Sequence, residues 1–153
     1  GLAGFSDAQV APLFAQAPAN CFLPGVWVGR AATIVAGSRG ILESETITRL
    51  NHATVYGEIV SGMAAGVDRG AVQWAKVQGL PLVEAPAFWN RYGRASGMIR
   101  NQWMSWYASN LLALWDGRSR GTKNMIDTAR RDGLHVDVAT VIAPACQVTA
   151  PTL

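Results

Sequence analysis

The sequence predicts an α/β fold in which helices cover both faces of a mainly parallel sheet of about five strands. Short apolar segments with the length of buried strands alternate with segments whose apolar residues recur every three or four positions, as in amphipathic helices. The chain of 153 residues is long enough for one domain with one core. Because 50% of its residues are hydrophobic and 15% are charged, the composition is typical of a globular protein.

The predicted elements alternate strictly from residue 33 onwards. The strand segments are apolar and often β-branched, and they comprise residues 33–36, 58–61, 81–85, 110–114 and 134–138. The helical segments between them comprise residues 44–52, 67–78, 94–107 and 122–131. Ser44 is the expected N-cap of the first helix, and Gly79 and Gly133 close the second and the last. This alternation favours right-handed crossovers in a doubly wound, Rossmann-like sheet.

Two terminal segments lie outside this pattern. We interpret residues 1–29 as an N-terminal arm with a short helix over 7–16, residues 30–139 as the domain, and residues 140–153 as a C-terminal tail. Cys21 and Cys146 do not form a Cys-x-x-Cys pair, which argues against zinc and thioredoxin-like sites. We expect two free thiols, with a disulfide as the alternative. No apolar run reaches membrane-spanning length and no secretory signal is recognisable, so we expect a cytoplasmic protein without membrane contact.

Glycine-rich segments follow three of the predicted strands and precede helices. They comprise residues 37–40, 61–66 and 115–122. Open parallel sheets bind ligands beyond the carboxyl ends of their strands, where small residues admit a ligand to the backbone and helix N-termini attract anions. None of the three is a GxGxxG fingerprint or a Walker A loop, which argues against ordinary NAD and ATPase sites. The alternative for each glycine is an ordinary turn.

The basic residues are concentrated at the same predicted edge. Eight of the 13 Lys and Arg residues lie in or beside segments that follow strands: Arg39, Arg69, Arg91, Arg94, Arg100, Arg118, Arg120 and Lys123. This distribution is typical of a site for phosphate or another multivalent anion, with solvated loop cations as the alternative. Arg100 differs because its helix is otherwise apolar, and a buried guanidinium needs an anionic partner in the protein or in a ligand.

Few other side chains indicate chemistry. Asp68 falls in the first turn of a helix, where a carboxylate also interacts favourably with the helix dipole. Asp116 lies in the fourth loop, where it either contacts a sugar hydroxyl or forms a turn. Trp89 and Trp115 follow strands, a position from which a ring can stack on a base. The sequence gives no signal for a metal site or a resident cofactor, and we expect neither.

At these loops the sequence resembles the SLOG superfamily, which joins the Smf/DprA DNA-processing proteins to the LOG cytokinin-activating enzymes. The similarity is greatest to its YspA-like branch. The matching motifs lie within about residues 33–138 and comprise residues 37–39, 61–68, 86–89, 93–101 and 115–122. The resemblance implies a Rossmannoid fold and a nucleotide-derived ligand. The expected ligand-binding residues are Gly37, Ser38, Arg39, Ser61, Gly62, Met63, Gly66, Asp68, Trp89, Arg94, Gly97, Arg100, Asn101, Gly117, Ser119, Gly121 and Thr122.

The resemblance to LOG enzymes also implies a reaction, the hydrolysis of a nucleoside monophosphate to free base and ribose 5-phosphate. Their motif contains an Arg, a strand ending Ala-Leu-Pro-Gly-Gly, then Gly-Thr and a nearby Glu. Arg100 lies 13 residues before Ala113-Leu114, the spacing expected for the catalytic Arg. The Glu is missing: Asn124 and Met125 occupy the positions at which it is expected. Neither side chain supplies the carboxylate that stabilises an oxocarbenium-like centre or activates water.

Three functions follow from these observations. The first is a module that senses, carries or sequesters a nucleotide or nucleotide-sugar. The second is a LOG-like hydrolase of N-glycosidic bonds, in which Arg100 acts with Asp68 or Asp116. The third is DprA-like DNA binding, against which count the formal charge of only +3 and the lack of a continuous basic stripe. We also expect at least a homodimer, with residues 1–29 or helix 94–107 in the interface, because apolar arms often bury themselves on a partner.

Overall fold

The computed structural model describes residues 31–55 and 57–142. The predicted arm with its helix over 7–16, both cysteines and residues 143–153 lie outside this part of the chain. The five strands are β1 (Ala32–Gly37), β2 (Glu58–Ser61), β3 (Leu82–Glu84), β4 (Asn110–Trp115) and β5 (His135–Thr140). The helices are α1 (Glu43–Leu50), α2 (Val67–Gln78), the single turn α3 (Trp89–Tyr92), α4 (Ser96–Tyr107) and α5 (Arg120–Arg131), with a 3₁₀ turn over Gly93–Ala95.

All five strands are parallel and lie in the order β3-β2-β1-β4-β5. The central strand β1 pairs with β2 on one side, where Ile34 faces Val60, and with β4 on the other, where Ile34 faces Leu111. The chain therefore builds one half of the sheet outwards from β1 and then returns to the centre to build the other half. This arrangement confirms the predicted Rossmann-like α/β fold, with a sheet that is parallel throughout.

Helices cover both faces of the sheet, and β1 is buried between them. Ile34 and Ala36 join the core under α4 and α5, whereas Val35 joins the core under α1 and α2. Residues of β1 thus belong to both cores. Both faces of β1 are covered, and residues 34–36 are accordingly all apolar, without the alternation of a half-exposed strand. Thr33 is a buried polar residue of the same strand. Full burial of a Val or Ile side chain stabilises the folded chain by about 1.5–3 kcal/mol, so this strand contributes to stability through both of its faces. None of the helices in the described ranges is long and apolar enough to cross a membrane.

Two predicted elements are confirmed to the residue. Strand β2 and helix α2 have the predicted limits of 58–61 and 67–78. Gly79 ends α2 in the left-handed conformation, with φ 69°, and its N–H donates to the carbonyl of Lys76 at 3.2 Å. Gly133 likewise has φ 84° and directly follows the C-cap of α5. These two glycines supply backbone angles that other residues rarely adopt.

Three predicted helix starts are wrong. Helix α1 begins at Glu43, with Leu42 at its N-cap, so Ser44 is not the cap. The predicted helix 94–107 begins only at Ser96, because residues 94 and 95 belong to the 3₁₀ turn over Gly93–Ala95. Helix α5 begins two residues earlier than predicted, at Arg120, because the Ser119 side chain caps it by accepting from the Thr122 N–H at 3.4 Å.

Polar contacts tie α4 to α5 at the end away from the strands' carboxyl ends. The carboxylate of Asp132, at the C-cap of α5, accepts from the Gln102 amide at 2.6 Å and from the Ser105 hydroxyl at 2.8 Å. Arg131 adds a hydrogen bond to the Gln102 carbonyl oxygen. Gln102 and Ser105 are buried, so these contacts satisfy polar groups and fix the position of α4 on the sheet.

Candidate functional site

A cavity of about 370 Å³ lies at the carboxyl ends of β1 and β4, where the strand order reverses. Open parallel sheets bind ligands at this point because the connections on either side diverge. We call it the switch-point cavity. It is lined by Ala36, Gly37, Arg39, Gly40, Ala64, Asp68, Arg100, Asn101, Met104, Asp116, Ser119, Gly121, Thr122 and Met125.

A second cavity of about 250 Å³ adjoins the first, and we call it the side cavity. The two share Arg39, Ala64 and Arg100. The remaining lining residues of the side cavity are Gly62, Met63, Ala65, Arg69, Pro86, Ala87 and Trp89. Trp89 is 50% exposed, which leaves part of its indole ring accessible beside this cavity.

Arg100 projects from α4 to the boundary between the two cavities. Its Nη1 donates to the carbonyl of Gly62 at 2.6 Å, and its Nε donates to Oδ1 of Asn101 at 3.1 Å. Burial lowers the pKa of the guanidinium from its usual value, whereas the nearby Asp68 raises it. No acceptor in the described ranges is bonded to Nη2, so this nitrogen remains a donor for a ligand.

Asp68 lies in the first turn of α2 and is only 5% exposed. Its Oδ2 accepts from the N–H of Ala64 at 3.2 Å. Burial raises the pKa of the carboxyl from 3.8 to about 6, although Arg100 and Arg39 both act to lower it. Within the part of the chain described, no ion pair within 4 Å joins Asp68 to either arginine. The carboxyl therefore titrates close to neutral pH at the edge of the cavity.

The absence of a side chain at Gly62 allows Arg100 and Asp68 to come together. A Cβ at this position would lie 2.5 Å from Nη1 of Arg100 and 2.9 Å from Oδ2 of Asp68. The preceding Ser61 hydroxyl donates to the carbonyl of Asp68 at 3.0 Å and accepts from the N–H of Met63 at 3.2 Å. Met63 has φ 65°, a left-handed conformation that a non-glycine residue adopts at a cost and that often marks functional loops.

Two glycines of the predicted site serve the packing of β1 against α2. A Cβ at Gly37 would lie 2.3 Å from the carbonyl oxygen of Leu114 and 2.5 Å from Cγ2 of Val67. Gly66 has φ 79°, and a Cβ there would lie 2.6 Å from the carbonyl oxygen of Arg39. The loop after β1 thus sits directly on the start of α2, which brings Arg39 to the cavity.

The loop after β4 is braced by Asp116. Its Oδ1 accepts from the N–H groups of Arg118 and Ser119, each at 2.8 Å, and these bonds lower the pKa of the carboxyl. The N–H of Asp116 in turn donates to the hydroxyl of the buried Ser38 at 3.1 Å, which ties this loop to the loop after β1. The next N–H groups, of Arg120 and Gly121, begin α5 and have no partner within the helix.

Asn101 connects Arg100 to the start of α5. Its Nδ2 donates to the carbonyl of Gly121 at 3.3 Å and to Oδ1 of Asn124 at 2.9 Å, while its Oδ1 accepts from Arg100. Asn124 is therefore engaged as a brace. Met125 is 1% exposed, lines the switch-point cavity and belongs to the core. Neither of the positions expected to hold the LOG-type Glu presents a carboxylate to the cavity.

The structure brings many of the predicted site residues together and places others apart. The predicted residues that line one or both cavities are Gly37, Arg39, Gly62, Met63, Asp68, Trp89, Arg100, Asn101, Asp116, Ser119, Gly121 and Thr122. Those that line neither are Ser38, Ser61, Gly66, Arg94, Gly97 and Gly117. Of the latter, Ser38, Ser61 and Gly66 shape the loops, and Arg94 and Gly117 are exposed.

Sequence reasoning missed several lining residues. Met104 lies on the inner face of α4, where a Met matches the pattern of an ordinary core residue. Met125 was noted only as a position of the missing Glu, and it lines the switch-point cavity as expected for that position. Pro86 and Ala87 fell inside a matched motif, but no property of their own marked them as ligand contacts. The feature that could have been used is position, since these two residues lie in the segment after β3, at the same sheet edge as the glycine-rich loops.

The chain matches no family model, and neither the curated proteins nor the solved structures contain a significant match to it. The resemblance to the SLOG superfamily therefore rests on the sequence motifs alone. Among residues 31–55 and 57–142, no group of three or more His, Cys, Asp or Glu side chains is placed to hold a metal ion.

Proposed function

We propose that this protein binds a nucleotide or nucleotide-derived ligand at the carboxyl edge of its sheet, and that it senses, carries or sequesters that ligand. The observation that carries the proposal is the switch-point cavity. It combines the guanidinium groups of Arg39 and Arg100 with the N-terminal end of α5 at Gly121. Guanidinium groups and unpaired helix N–H groups both bind phosphate oxygens. Asn101 and Asp116 add polar groups suited to ribose hydroxyls.

The energetics of the cavity wall support a functional rather than a purely structural role. Asp68 is buried with a pKa of about 6, which makes its ionised form costly at neutral pH. Met63 adopts a left-handed backbone conformation in the neighbouring loop. Asp68 lines the switch-point cavity and Met63 lines the adjoining side cavity. Perturbed carboxyls and strained loop residues beside a cavity are typical of ligand sites, because stability alone would select against them.

The proposal is tested first with the native protein. Mass spectrometry of small molecules that co-purify with the full chain should detect a nucleotide-type compound. Titration calorimetry with nucleoside mono- and diphosphates should then give saturable binding. Arg39→Ala and Arg100→Ala should weaken it strongly, whereas Arg130→Ala, which removes an exposed cation at the other end of α5, should not. The absence of co-purifying nucleotide together with no binding at millimolar concentration would contradict the proposal.

A second candidate, hydrolysis of an N-glycosidic bond, is favoured by the two aspartates of the switch-point cavity. Burial raises the pKa of Asp68 to about 6, and backbone hydrogen bonds lower the pKa of Asp116. Carboxyls whose pKa values are moved apart are typical of acid and base pairs in catalysis. If this function is correct, the wild type should release free base from nucleoside monophosphates, and Asp68→Asn should abolish the release. Wild-type protein that binds without release is a binding module.

The predicted assembly and location belong to the same proposal. We propose at least a homodimer that acts in the cytoplasm as a member of the SLOG superfamily. Helix α4 buries most of its side chains within the chain, and of its large apolar residues Met98 is exposed, at 58%. If this helix contributes to the interface, Met98 is the side chain that it offers, and Trp89 on α3 is an exposed apolar residue as well.

A further inference from the structure

The two edge strands of the sheet differ in how they are protected from pairing with another chain. Strand β3 has only three residues, directly follows Pro81 and ends at the exposed Glu84. Short strands, prolines and exposed charges are the usual means by which a sheet edge avoids such pairing. Strand β5 has six residues, contains no Pro, Lys or Arg, and pairs with β4 at every residue without a bulge. In the described ranges no strand lies beyond β5, so its edge is long, regular and open.

The outward backbone groups of β5 belong to alternate residues. The N–H of His135 donates to the carbonyl of Ser109, at the start of β4, at 3.1 Å. Because successive residues of a strand direct their backbone groups to opposite sides, the N–H and C=O groups of Val136, Val138 and Thr140 point away from β4. A row of this kind is a template for one more β-strand.

The side chains along the β5 edge form two rows, one on each face of the sheet. On the face covered by α4 and α5, Leu134, Val136 and Val138 are half-buried against the core, so an apolar row reaches the edge. On the opposite face, Nε2 of His135 lies 3.4 Å from Oδ2 of Asp137, and these side chains are 70% and 66% exposed. The edge thus offers apolar surface on one face and an imidazole beside a carboxylate on the other.

We propose that β5 pairs with β5 of a second copy of this chain, antiparallel, about a two-fold axis at Val136. A two-fold interface places the same surface on both copies. In this register Val136 lies opposite Val136 of the second copy, and Leu134 lies opposite Val138. On the other face, His135 of each copy lies opposite Asp137 of the other. Apolar pairs and pairs of opposite charge that face each other directly both stabilise a sheet.

The neighbouring registers are less complementary. An axis at Asp137 sets the two Asp137 carboxylates opposite each other, which destabilises the pairing. An axis at Val138 sets Asp137 opposite Ala139, so no carboxylate faces an imidazole across the axis. Of the three registers, the one centred on Val136 alone joins apolar to apolar side chains and imidazole to carboxylate.

The pairing joins the two five-stranded sheets into one sheet of ten strands. Because the strands run antiparallel across the axis, the switch-point cavities of the two copies lie at opposite edges of the joined sheet. Each copy therefore keeps its own site. This inference does not depend on nucleotide binding; it rests on the proposed homodimer and assigns its interface to β5.

The test is disulfide cross-linking of the full chain in a background that carries Cys21→Ser and Cys146→Ser. Val136→Cys should form an intermolecular disulfide on oxidation by diamide, because the Cα atoms of directly opposed residues lie about 5.5 Å apart. Val138→Cys, on the same strand and the same face, is the matched control. Its two copies lie about 14 Å apart in this register and should not cross-link.

Light scattering separates the ways in which the inference can fail. A monomeric wild type would overturn the homodimer and this interface together. A dimer in which Val136→Cys does not cross-link, or in which Val138→Cys cross-links as readily, would overturn the β5 pairing and leave the homodimer standing. Met98→Glu, on α4, should remain dimeric; a monomeric Met98→Glu would assign the interface to α4 and overturn the pairing through β5.

A charge exchange tests the register by a second route. His135→Asp should weaken dimerisation at least about threefold, because it sets carboxylates opposite each other on both sides of the axis. Addition of Asp137→His to the same chain should restore the affinity, since each imidazole again faces a carboxylate. Both side chains are exposed in the single chain, so the exchange leaves the core unchanged. A double variant that dimerises as weakly as His135→Asp would overturn the assigned register.

Discussion

Replacement of Asp68 by Asn should stabilise the domain at neutral pH. Asp68 is 5% exposed, and burial raises the pKa of its carboxyl from 3.8 to about 6. Because the pKa is higher in the folded chain, the unfolded chain loses this proton first as the pH rises. Below pH 3.8 the carboxyl is protonated in both states and does not reduce the free energy of unfolding. As the pH rises from about 4 to 6, ionisation of the unfolded chain lowers the free energy of unfolding, and it stays lower above about pH 6. A difference of one pKa unit corresponds to about 1.4 kcal/mol, so the ionised carboxyl costs about 3 kcal/mol at pH 7.

Asn has nearly the same shape as a protonated Asp and never ionises. The variant and the wild type should thus be equally stable near pH 4, and the variant should be more stable by about 3 kcal/mol at pH 7. For a domain of this size, that gain corresponds to a rise in Tm of roughly 10–20 °C. Urea unfolding of both proteins between pH 4 and pH 7.5, without ligand, measures the difference directly.

Asp116→Asn, in the same cavity, is a control variant whose effect on stability should have the opposite sign. Hydrogen bonds from the N–H groups of Ser119 and Arg118 lower the pKa of the Asp116 carboxyl. The stability that this carboxylate contributes is present above its unfolded pKa and is lost as the pH falls. Asp116→Asn should therefore destabilise the domain at pH 7 and have less effect at pH 3. An Asp68→Asn variant less stable than wild type at pH 7, or a difference independent of pH, would refute the reasoning.

Three further predictions concern the site and the assembly. Arg100→Ala should weaken nucleotide binding about ten- to a hundredfold, because a charge-assisted hydrogen bond contributes about 1.5–3 kcal/mol; calorimetry that finds unchanged affinity would remove Arg100 from the site. Gly62→Ala should also weaken binding, since its Cβ would displace Arg100, and an unaltered affinity would show that this displacement does not matter. Light scattering at micromolar concentration should give at least twice the chain mass of 16.3 kDa, and Met98→Glu should reduce it if α4 contributes; a monomeric wild type contradicts the prediction.

The elements that could be predicted from the sequence are those in which local and long-range signals agree. Helix α2 has apolar residues that recur every three or four positions and a glycine directly after its end. These two signals together were sufficient to predict both of its limits. Helix α1 begins at Glu43 rather than at the favourable cap Ser44. Glu43 accepts a hydrogen bond from Gln73 of α2 at 2.5 Å, a contact between residues 30 apart that the local pattern does not contain.

The edge of the sheet that carries the two cavities was also predictable, but the role of each residue was not. The glycine-rich loops indicated where ligand-facing backbone would lie. Whether a glycine admits a ligand or another part of the fold depends on what faces it: Val67 and Leu114 face Gly37, whereas Arg100 and Asp68 face Gly62. That information comes from the packing of distant segments. For the same reason, Asn101 could be placed in a motif but not recognised as the brace between Arg100 and α5.

The braced geometry of the site leads to a last prediction, that ligand binding takes up a proton. Arg39 and Arg100 both act to lower the pKa of Asp68, which is already about 6 because of burial. An anionic ligand between the arginines offsets their positive charge, so the pKa of Asp68 rises further in the complex. Protons are then bound as the ligand binds, and affinity should increase as the pH falls from about 7 to 6.

Calorimetry at pH 6.5 in two buffers of different ionisation enthalpy measures this proton uptake. The apparent binding enthalpy should differ between the buffers for the wild type and should be nearly the same for Asp68→Asn, which has no carboxyl to titrate. Asp116→Asn should retain the buffer dependence, because the pKa of Asp116 lies below its usual value and far from pH 6.5. A wild type that binds a nucleotide without proton uptake would show that the ligand's charge does not lie near Arg39, Arg100 and Asp68.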